Sequence, residues 1–340
     1  MRIPGKLALA ASLLAGVHAL ALGAAFLAPY GPAEQSRALP YAPPTRVHFV
    51  DDTGRVHLRP FVFPLVDDER AAGRYREDRS QSFPIHFFVR SPAGLGAREG
   101  WRLFGVDGPA RVFLLGTDGF GRDQLSRLLH GARISLFAGL LATVISLGLG
   151  WVLGTVAGFY GRATDTVVMR AADVFLALPW LYLLFAVRAA LPLHLPPDQA
   201  FLMLVLVIGL VDWARPARLV RGLVLSARER NYVRAARGFG AGDLYLVRRH
   251  IAPQTFGLLL TQGALLVPQY ILAEVTLSFL GLGVGEPVPS WGNMLAALQR
   301  YHVLSSYWWM WAPGLALVPV FLAYSALSEA LQSRVGPASP

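Results

Sequence analysis

The sequence predicts an all-α membrane protein with six transmembrane helices and a small β-containing extracytoplasmic insert between the first and second helices. Three observations support this fold class. Hydrophobic residues make up 54% of the chain and charged residues only 15%, whereas soluble domains carry about 25% charged residues. Long apolar runs without a charge recur, and most charged residues lie in two blocks between them. The composition therefore excludes a disordered chain, which needs low hydrophobicity and high charge.

The basic balance of the chain also limits its function. The formal net charge is +10, a value typical of proteins that contact nucleic acid, anionic lipid or a membrane with charge asymmetry. Nine arginines fall within residues 215–249, between apolar runs and not on a polar surface with aromatic platforms. This placement favours membrane topology over nucleic-acid binding. The chain has no cysteine, which excludes disulfides and thiolate metal sites.

The apolar runs predict the spans, because a bilayer core of about 30 Å needs roughly 20 apolar residues in a helix. Two shorter runs are predicted to span by extending into polar flanks. The first run is too long for the apolar region of a signal peptide, which has about 7–15 residues, so it predicts an uncleaved anchor. The four long runs are residues 7–28, 134–160, 254–273 and 303–328, and the shorter ones are 174–187 and 200–211.

Arginine in the short loops predicts the orientation, since such loops are more basic on the cytoplasmic side. With the N-terminus inside, residues 161–172, residues 215–249 and the C-terminus are cytoplasmic. Residues 192–199 and 282–302 are then outside, where Arg300 is the sole arginine. The insert is also outside, because loops longer than about 60 residues cross regardless of charge.

The insert, residues 30–112, carries strand signals. Alternating apolar residues on either side of residues 51–54 predict a β-hairpin. Residues 101–106 and 111–115, joined by Asp107-Gly108, predict a second hairpin, and residues 84–89 predict another strand. Three histidines in this region match no metal-binding spacing, so we expect them to be unbound surface residues: His48, His57 and His86.

Signatures of catalysis are absent from the sequence. It has no P-loop, so we do not expect this chain to hold ATP and Mg²⁺ itself, and it has no zinc-protease or hydrolase motif. Residues 116–123 are better interpreted as a tight turn and helix cap than as a phosphate loop. Asp173, Asp212 and Glu274 lie near the edges of three different spans and leave an ion-coupled carrier as an alternative.

Small residues in the second span predict close helix packing. Gly150, Gly154 and Gly158 recur every four residues and therefore lie on one face of the helix. A ridge of this kind lets a neighbouring helix approach closely. The alternative is the ordinary tolerance of glycine in membrane helices.

The cytoplasmic segment, residues 228–253, is the most informative part of the sequence. Gly238, Gly240 and Gly242 interrupt a helical pattern, Asp243 is the predicted N-cap of a second helix, and Pro253 is predicted to end the segment before the fifth span. A helix–turn–helix pinned between two spans offers a contact on which a partner can push, so that both spans move.

This segment is identified by its motifs. Residues 232–240 (YVRAARGFG) followed by 249–253 (RHIAP) resemble the EAA loop of ABC importer permeases. Other motifs are similar to the dipeptide/oligopeptide/nickel permease family, second-subunit type, and the resemblance covers about residues 113–335. These are residues 116–123 (GTDGFGRD), 126–133 (SRLLHGAR), 277–283 (LSFLGLG), 289–292 (PSWG) and 311–314 (WAPG).

The resemblance implies the fold of a type I ABC importer permease in the inner (plasma) membrane. Such a subunit pairs with a homologous permease, two cytoplasmic ATPases that bind ATP and Mg²⁺, and an extracytoplasmic solute-binding protein. Its domains would be an anchor (1–29), the insert (30–112), a permease core (113–335) and a C-terminal tail (336–340). The residues implied at the ATPase contact are Arg234, Ala235, Ala236, Gly238 and Gly240, with Ile251 and Pro253 shaping its exit.

The sequence departs from the family pattern at several points. Arg234 stands where the family has Glu, Ile251-Ala252-Pro253 replaces Ile-Leu-Pro, and Gln254 replaces the usual Asn. The insert is longer than the usual first outer loop. Peptides are the solute that the resemblance favours, and nickel or an oligosaccharide remains an alternative within the same architecture. An ion-coupled carrier and a membrane-anchored scaffold are the alternatives from other classes.

Overall fold

A computed structural model describes residues 3–51, 54–67, 75–91, 100–192 and 195–335, and it is mostly helical. The predicted C-terminal tail, residues 336–340, lies outside the described residues. The helices are α1 (Ile3–Leu22), α2 (Ala24–Leu27), α3 (Gln124–Tyr160), α4 (Arg162–Ala177), α5 (Trp180–Ala189), α6 (Pro197–Val211), α7 (Ala214–Arg228), α8 (Asn231–Gly238), α9 (Asp243–Leu246), α10 (Ala252–Phe279), α11 (Trp291–Ala296), α12 (Tyr301–Ser306) and α13 (Ala312–Val335). The strands are β1 (His48–Val50), β2 (Val56–Val62), β3 (Leu65–Asp67), β4 (Tyr75–Glu77), β5 (Phe83–Ser91) and β6 (Gly100–Val106).

Several helices are long and apolar enough to cross a membrane. Two further pairs pass the same test together but are bent: α4 with α5 by 90°, and α6 with α7 by 45°. Within the described ranges the number of candidate spans is therefore four, or up to six if each bent pair is one span. The four unbent stretches are Gly5–Leu22, Gln124–Tyr160, Asp243–Phe279 and Trp308–Ser333.

The third predicted span, residues 174–187, is not one straight helix. α4 ends at Ala177, Leu178 is extended, and α5 begins after Pro179. Proline lacks an N–H group, clashes with the carbonyl four residues earlier and disfavours helical geometry in the residue before it. Pro179 therefore accounts for the break that the prediction did not include.

The last predicted span, residues 303–328, begins too early. α12 ends at Ser306, Tyr307 leaves the helical conformation, and a 3₁₀ turn (Trp308–Trp311) leads into α13. Pro313 is the second residue of α13, where its missing N–H group has no helical partner to lose. The apolar run alone did not show this break.

The insert contains some, but not all, of the strands that its alternating apolar residues predict. β1 pairs antiparallel with β2 across residues 51–55, which confirms the first hairpin, and β5 confirms the strand at residues 84–89. The second hairpin is wrong, because β6 pairs with β5 and residues 111–115 form no strand. Pro109 follows Gly108 and cannot donate a hydrogen bond to a returning strand. The sheet order is β1-β2-β5-β6, with β3 and β4 paired separately.

The contacts divide the chain into two compact units. One comprises Met1–Leu14, Leu136–Leu277 and Pro319–Pro340. The other comprises Ala15–Ser135 and Ser278–Val318 and contains the strands. The first unit contains residues 228–253, and the second contains the cavity between residues 118–127 and 286–300.

A buried polar junction joins three helices of the first unit. The Tyr270 hydroxyl of α10 lies 2.8 Å from Oγ of Ser146 in α3 and 3.1 Å from Oδ2 of Asp212. The Ser146 hydroxyl donates to the main-chain carbonyl of Asp212 at 3.0 Å. Asp212 caps α6, so these bonds meet at the bend between α6 and α7.

Candidate functional site

Residues 228–253 form the predicted helix, glycine turn and helix. α8 ends at Gly238, and the amides of Gly240 and Ala241 donate back to the carbonyls of Arg237 (3.0 Å) and Ala236 (3.1 Å). Gly240 has a φ of +87°, a left-handed conformation that closes helix ends and favours glycine. Asp243 is not the N-cap that the sequence suggested. Gly242 holds that position, and Asp243 is the first residue of α9.

The turn has open space around its glycines. A Cβ added at Gly240 or at Gly242 would meet nothing within 4 Å. Gly240 is therefore required by its backbone conformation and not by crowding. Gly242, with a φ of −70°, has neither requirement.

Pro253 does not end the segment as predicted. The helix continues from Asp243 to Phe279, with a π-helical turn at Val247–Ile251 immediately before α10. A proline would clash with the carbonyl four residues earlier in a regular α-helix. The wider π turn, which changes the hydrogen-bond spacing at this point, lets the helix run on through Pro253.

One face of the segment is buried against the ends of the membrane helices. Val233, Leu246 and Ile251 are buried in one hydrophobic cluster with Phe159 of α3 and residues of α7. Ala236 is half-buried against the same cluster, and Ile251 is fully buried. α8 and α9 are therefore in direct van der Waals contact with α3, α7 and α10.

Polar contacts reinforce this attachment. The Arg228 guanidinium donates to the carbonyl oxygens of Gly158 (2.9 Å) and Phe159 (3.3 Å), which lie at the C-terminal end of α3 where helix carbonyls lack intrahelical partners. The Arg237 guanidinium lies 5.2 Å from the centre of the Phe159 ring. The Gln254 amide donates to the Tyr232 hydroxyl and to the His250 carbonyl, which links α8 to α10.

The opposite face of the segment is exposed, and it carries apolar and basic side chains. Phe239, at the tip of the turn, is 92% exposed, and Tyr232, Leu244 and Tyr245 are also exposed. A cluster of exposed large apolar side chains among arginines is typical of a protein interaction site. The sequence-based site did not include these four residues. A sequence signal could have identified them: each is a large apolar or aromatic side chain that stands in an arginine-rich segment.

The charges on this face are partly paired. Nη2 of Arg234 lies 3.4 Å from Oε2 of Glu229, and Nη2 of Arg237 lies 3.6 Å from Oδ1 of Asp243. All four side chains are exposed, so each pair contributes little to stability. Arg234 and Ala235 are both exposed, which leaves them accessible to a partner.

Residues 150–337 match the model of the family described as binding-protein-dependent transport system inner membrane component. The chain belongs to this family. The permease resemblance predicted from the motifs is thereby confirmed.

Relatives of this permease are similar over most of its length. A protein of Brucella suis biovar 1 (strain 1330), named as a peptide permease, is 37% identical over 230 residues, which are 67% of this chain and 74% of that protein. The di/tripeptide transport system permease protein DppC of Pseudomonas aeruginosa (strain UCBPP-PA14) is 40% identical over 233 residues, which are 68% of this chain and 74% of DppC.

Among solved structures, the permease is similar to a chain of the methionine ABC transporter MetNI in an inward-facing form. The TM-score is 0.45 and the sequence identity 15%, over 61% of this chain and 95% of that chain.

The glycine ridge of this permease faces α7. A Cβ on Gly150 would lie 2.9 Å from the Pro216 Cβ, and one on Gly158 would lie 2.9 Å from the Arg221 carbonyl oxygen. At Gly154 the distance to the Ala217 carbonyl oxygen would be 2.4 Å. α7 ends at Arg228, where residues 228–253 begin, so its close contact with α3 adjoins that segment.

The three candidate carboxylates have separate surroundings. Asp173 forms an ion pair with Arg218, and both side chains are exposed. Asp212 belongs to the polar junction with Tyr270, and Glu274 is fully buried in α10. Each acid therefore has its own structural setting.

Proposed function

We propose that this permease is a membrane-spanning subunit of an ATP-driven importer of short peptides. It would pair with a homologous permease, two cytoplasmic ATPases and an extracytoplasmic solute-binding protein. Two relatives whose names specify peptide transport support the solute class. The chain itself would take no part in ATP chemistry. Its role is to convert motion of the ATPases into alternating access of the membrane path.

The proposed topology has six spans, with each bent pair counted as one span and both termini in the cytoplasm. It is supported by the five arginines of residues 229–249, which follow the second bent pair, because short cytoplasmic loops carry the excess of basic residues. The insert, with its four-stranded sheet, then lies outside and is available to a binding protein.

Residues 228–253 are the proposed ATPase contact, and the single observation that carries this proposal is their two-sided construction. One face is buried in a cluster shared with α3, α7 and α10, and the other exposes Phe239 and Tyr245. A short element with an apolar outer face fits a groove on a partner. Arg234, Ala235, Ala236, Gly238 and Gly240 would line the contact, while Ile251 and Pro253 would fix its connection to α10.

The test is co-purification of the ATPases with Phe239→Asp in the assembled transporter. A charge at an exposed position has little effect on folding, but in an apolar groove it would be buried without a partner. We therefore expect ATPase recovery and peptide uptake to fall by at least about tenfold, which corresponds to a loss of about 1.4 kcal/mol.

The matched control is Phe87→Asp, which introduces the same charge at an exposed phenylalanine of β5. It should retain the ATPases. Normal ATPase recovery and normal uptake with Phe239→Asp would contradict the proposed contact. Uptake of radiolabelled dipeptide, Ni²⁺ and an oligosaccharide by the wild-type complex would identify the solute class independently.

A further inference from the structure

The second unit contains a cavity that is lined by both charged and apolar side chains. Its volume is about 500 Å³, within the range of sites that hold small molecules. Residues 118–127, at and before the start of α3, form one wall, and residues 293–300 with Glu286 form another. In the proposed topology these residues lie at the outer surface, where a solute arrives.

A balanced group of four charges forms one side of the cavity. Nε of Arg122 donates to Oδ2 of Asp118 at 2.7 Å, and Nη1 donates to Oε2 of Glu286 at 2.5 Å. Nη2 of Arg127 donates to Oε1 of Glu286 at 2.8 Å. Both arginines are buried, but the Glu286 side chain is 46% exposed. Oε2 of Glu286 accepts one of these bonds and can accept another from a cation in the cavity.

Arg300 supplies a positive charge that this group does not balance. It is exposed, lines the cavity and lies beside the Tyr41 hydroxyl. Among the described residues no carboxylate oxygen lies within 4 Å of its guanidinium, since the carboxylates of the cavity are already paired with Arg122 and Arg127. A guanidinium in this position suits a carboxylate, which it can bind with two hydrogen bonds.

Gln124 is the feature that points most directly to a ligand. This residue of α3 lines the cavity and is only 1% exposed, yet neither its Nε2 nor its Oε1 has a hydrogen-bond partner among the described residues. A buried amide without partners is costly, and such groups are rare in folded proteins. A carboxamide has both donor and acceptor, which is the complement of a peptide group.

We propose that this cavity is a peptide-binding site on the permease, which receives a short zwitterionic peptide on the outer side. Arg300 binds the terminal carboxylate, Gln124 pairs with a main-chain peptide group, and Glu286 accepts from the terminal ammonium. This proposal rests on the proposed import of peptides and adds a site at which the permease itself, and not only the binding protein, recognises them.

The test measures peptide binding to the purified transporter in nanodiscs, without binding protein or nucleotide, by equilibrium dialysis. The probes are radiolabelled Ala-Ala-Ala, its C-terminal amide and its N-acetyl derivative. We expect the wild type to bind the free peptide at least about tenfold more tightly than either blocked form, because each blocked form lacks one charge-assisted hydrogen bond.

Two variants assign the residues. Arg300→Gln should weaken binding of the free peptide about tenfold but leave the C-terminal amide unaffected, whereas Arg59→Gln, an exposed arginine of β2 outside the cavity, should change neither. Gln124→Leu should weaken all three peptides while the transporter unfolds at an equal or higher temperature, since the substitution removes an unpartnered buried amide. A residue with only a structural role would lose stability instead.

ATP-dependent uptake with the binding protein is measured in parallel. Normal uptake without direct peptide binding, or with binding that these variants do not change, would overturn the site but not the proposed function. The peptide site would be overturned equally if the binding protein occupied the cavity in the absence of peptide, because the occupant would then be a segment of that protein. Absence of ATP-dependent uptake of any peptide would overturn the proposed function.

Discussion

Three glycines of α3 face α7, and Gly154 has the least space of the three. A Cβ there would lie 2.4 Å from the Ala217 carbonyl oxygen and 2.9 Å from the Val220 Cβ. Both are parts of α7 that cannot move aside without moving the helix. We therefore predict that Gly154→Ala lowers the free energy of unfolding by about 2 kcal/mol, within the usual range for overpacking. Thermal unfolding of the purified protein in detergent measures the effect.

Gly148 offers a matched control in the same helix. A Cβ at this position meets nothing within 4 Å. Gly148→Ala should therefore be neutral or should stabilise the helix by up to about 1 kcal/mol through helix propensity. Equal effects of the two substitutions would show that the close approach of α7 to Gly154 is unimportant.

Asp123 predicts a dependence of stability on pH. Its Oδ2 accepts from the Ser126 amide (2.7 Å) and hydroxyl (2.6 Å), while burial raises the pKa of its carboxyl group to about 7. The folded pKa lies above the ordinary value of about 3.9, so protonation stabilises the folded state. This contribution is complete below about pH 4 and is lost as the pH rises through 7.

The measurement compares the unfolding temperature of the wild type with that of Asp123→Asn at pH 5 and pH 8. Asparagine keeps an acceptor for Ser126 but does not titrate. We expect the wild type to lose stability over this interval relative to the variant, by about 2.7 kcal/mol at most, because only the two pH units between 5 and 7 lie below the folded pKa. Parallel behaviour of the two proteins would be inconsistent with a raised pKa.

At the scale of elements, the turn between α8 and α9 depends on one backbone angle. Gly240 has a φ of +87° and open space around it, whereas Gly242 has open space and an ordinary φ of −70°. Gly240→Ala should strain the turn by about 1 kcal/mol and reorient Phe239, lowering ATPase stimulation by the binding protein. Gly242→Ala should leave the stimulation unchanged. Full stimulation with Gly240→Ala would show that the turn geometry is not needed for coupling.

The breaks within spans were the elements hardest to predict. Hydropathy located the apolar runs because burial in lipid depends on composition, which a sequence states directly. It did not place the bend at Pro179, since proline occurs both inside and between membrane helices. Pro268 and Pro319 lie within α10 and α13, whereas Pro179 separates α4 from α5. The neighbouring helices decide between these outcomes, and their positions are tertiary information.

The sequence located the proposed ATPase contact, but it did not show which of its side chains are buried and which are exposed. The glycines and the arginine-rich composition located the helix–turn–helix. The sequence did not show that Ile251 lies fully inside the cluster while Phe239 lies outside. Both are large and apolar, so only packing against α3 and α7 distinguishes the residue that anchors the segment from the one that is free to bind a partner.

At the scale of the whole molecule, the topology is testable with single cysteines because the chain has none. Ser80 and Arg237 are both exposed and lie on opposite sides of the membrane in the proposed topology. Ser80→Cys should react with a membrane-impermeant maleimide in intact spheroplasts, and Arg237→Cys only after lysis. The reverse pattern, or labelling of both in intact spheroplasts, would reject the assigned orientation.

The junction of Tyr270, Ser146 and Asp212 has a geometrical consequence for transport. Its groups are shielded from water, so separating them would leave a carboxylate and hydroxyls without partners in the bilayer. A rotation of α7 about Asp212 would keep this junction intact and would displace the far end of the helix, at Arg228, the most. That arm is about 24 Å long at 1.5 Å per residue, so a rotation of about 10° displaces its cytoplasmic tip by roughly 4 Å. A small angular change at the junction thus corresponds to a displacement about as long as one side chain at Arg228.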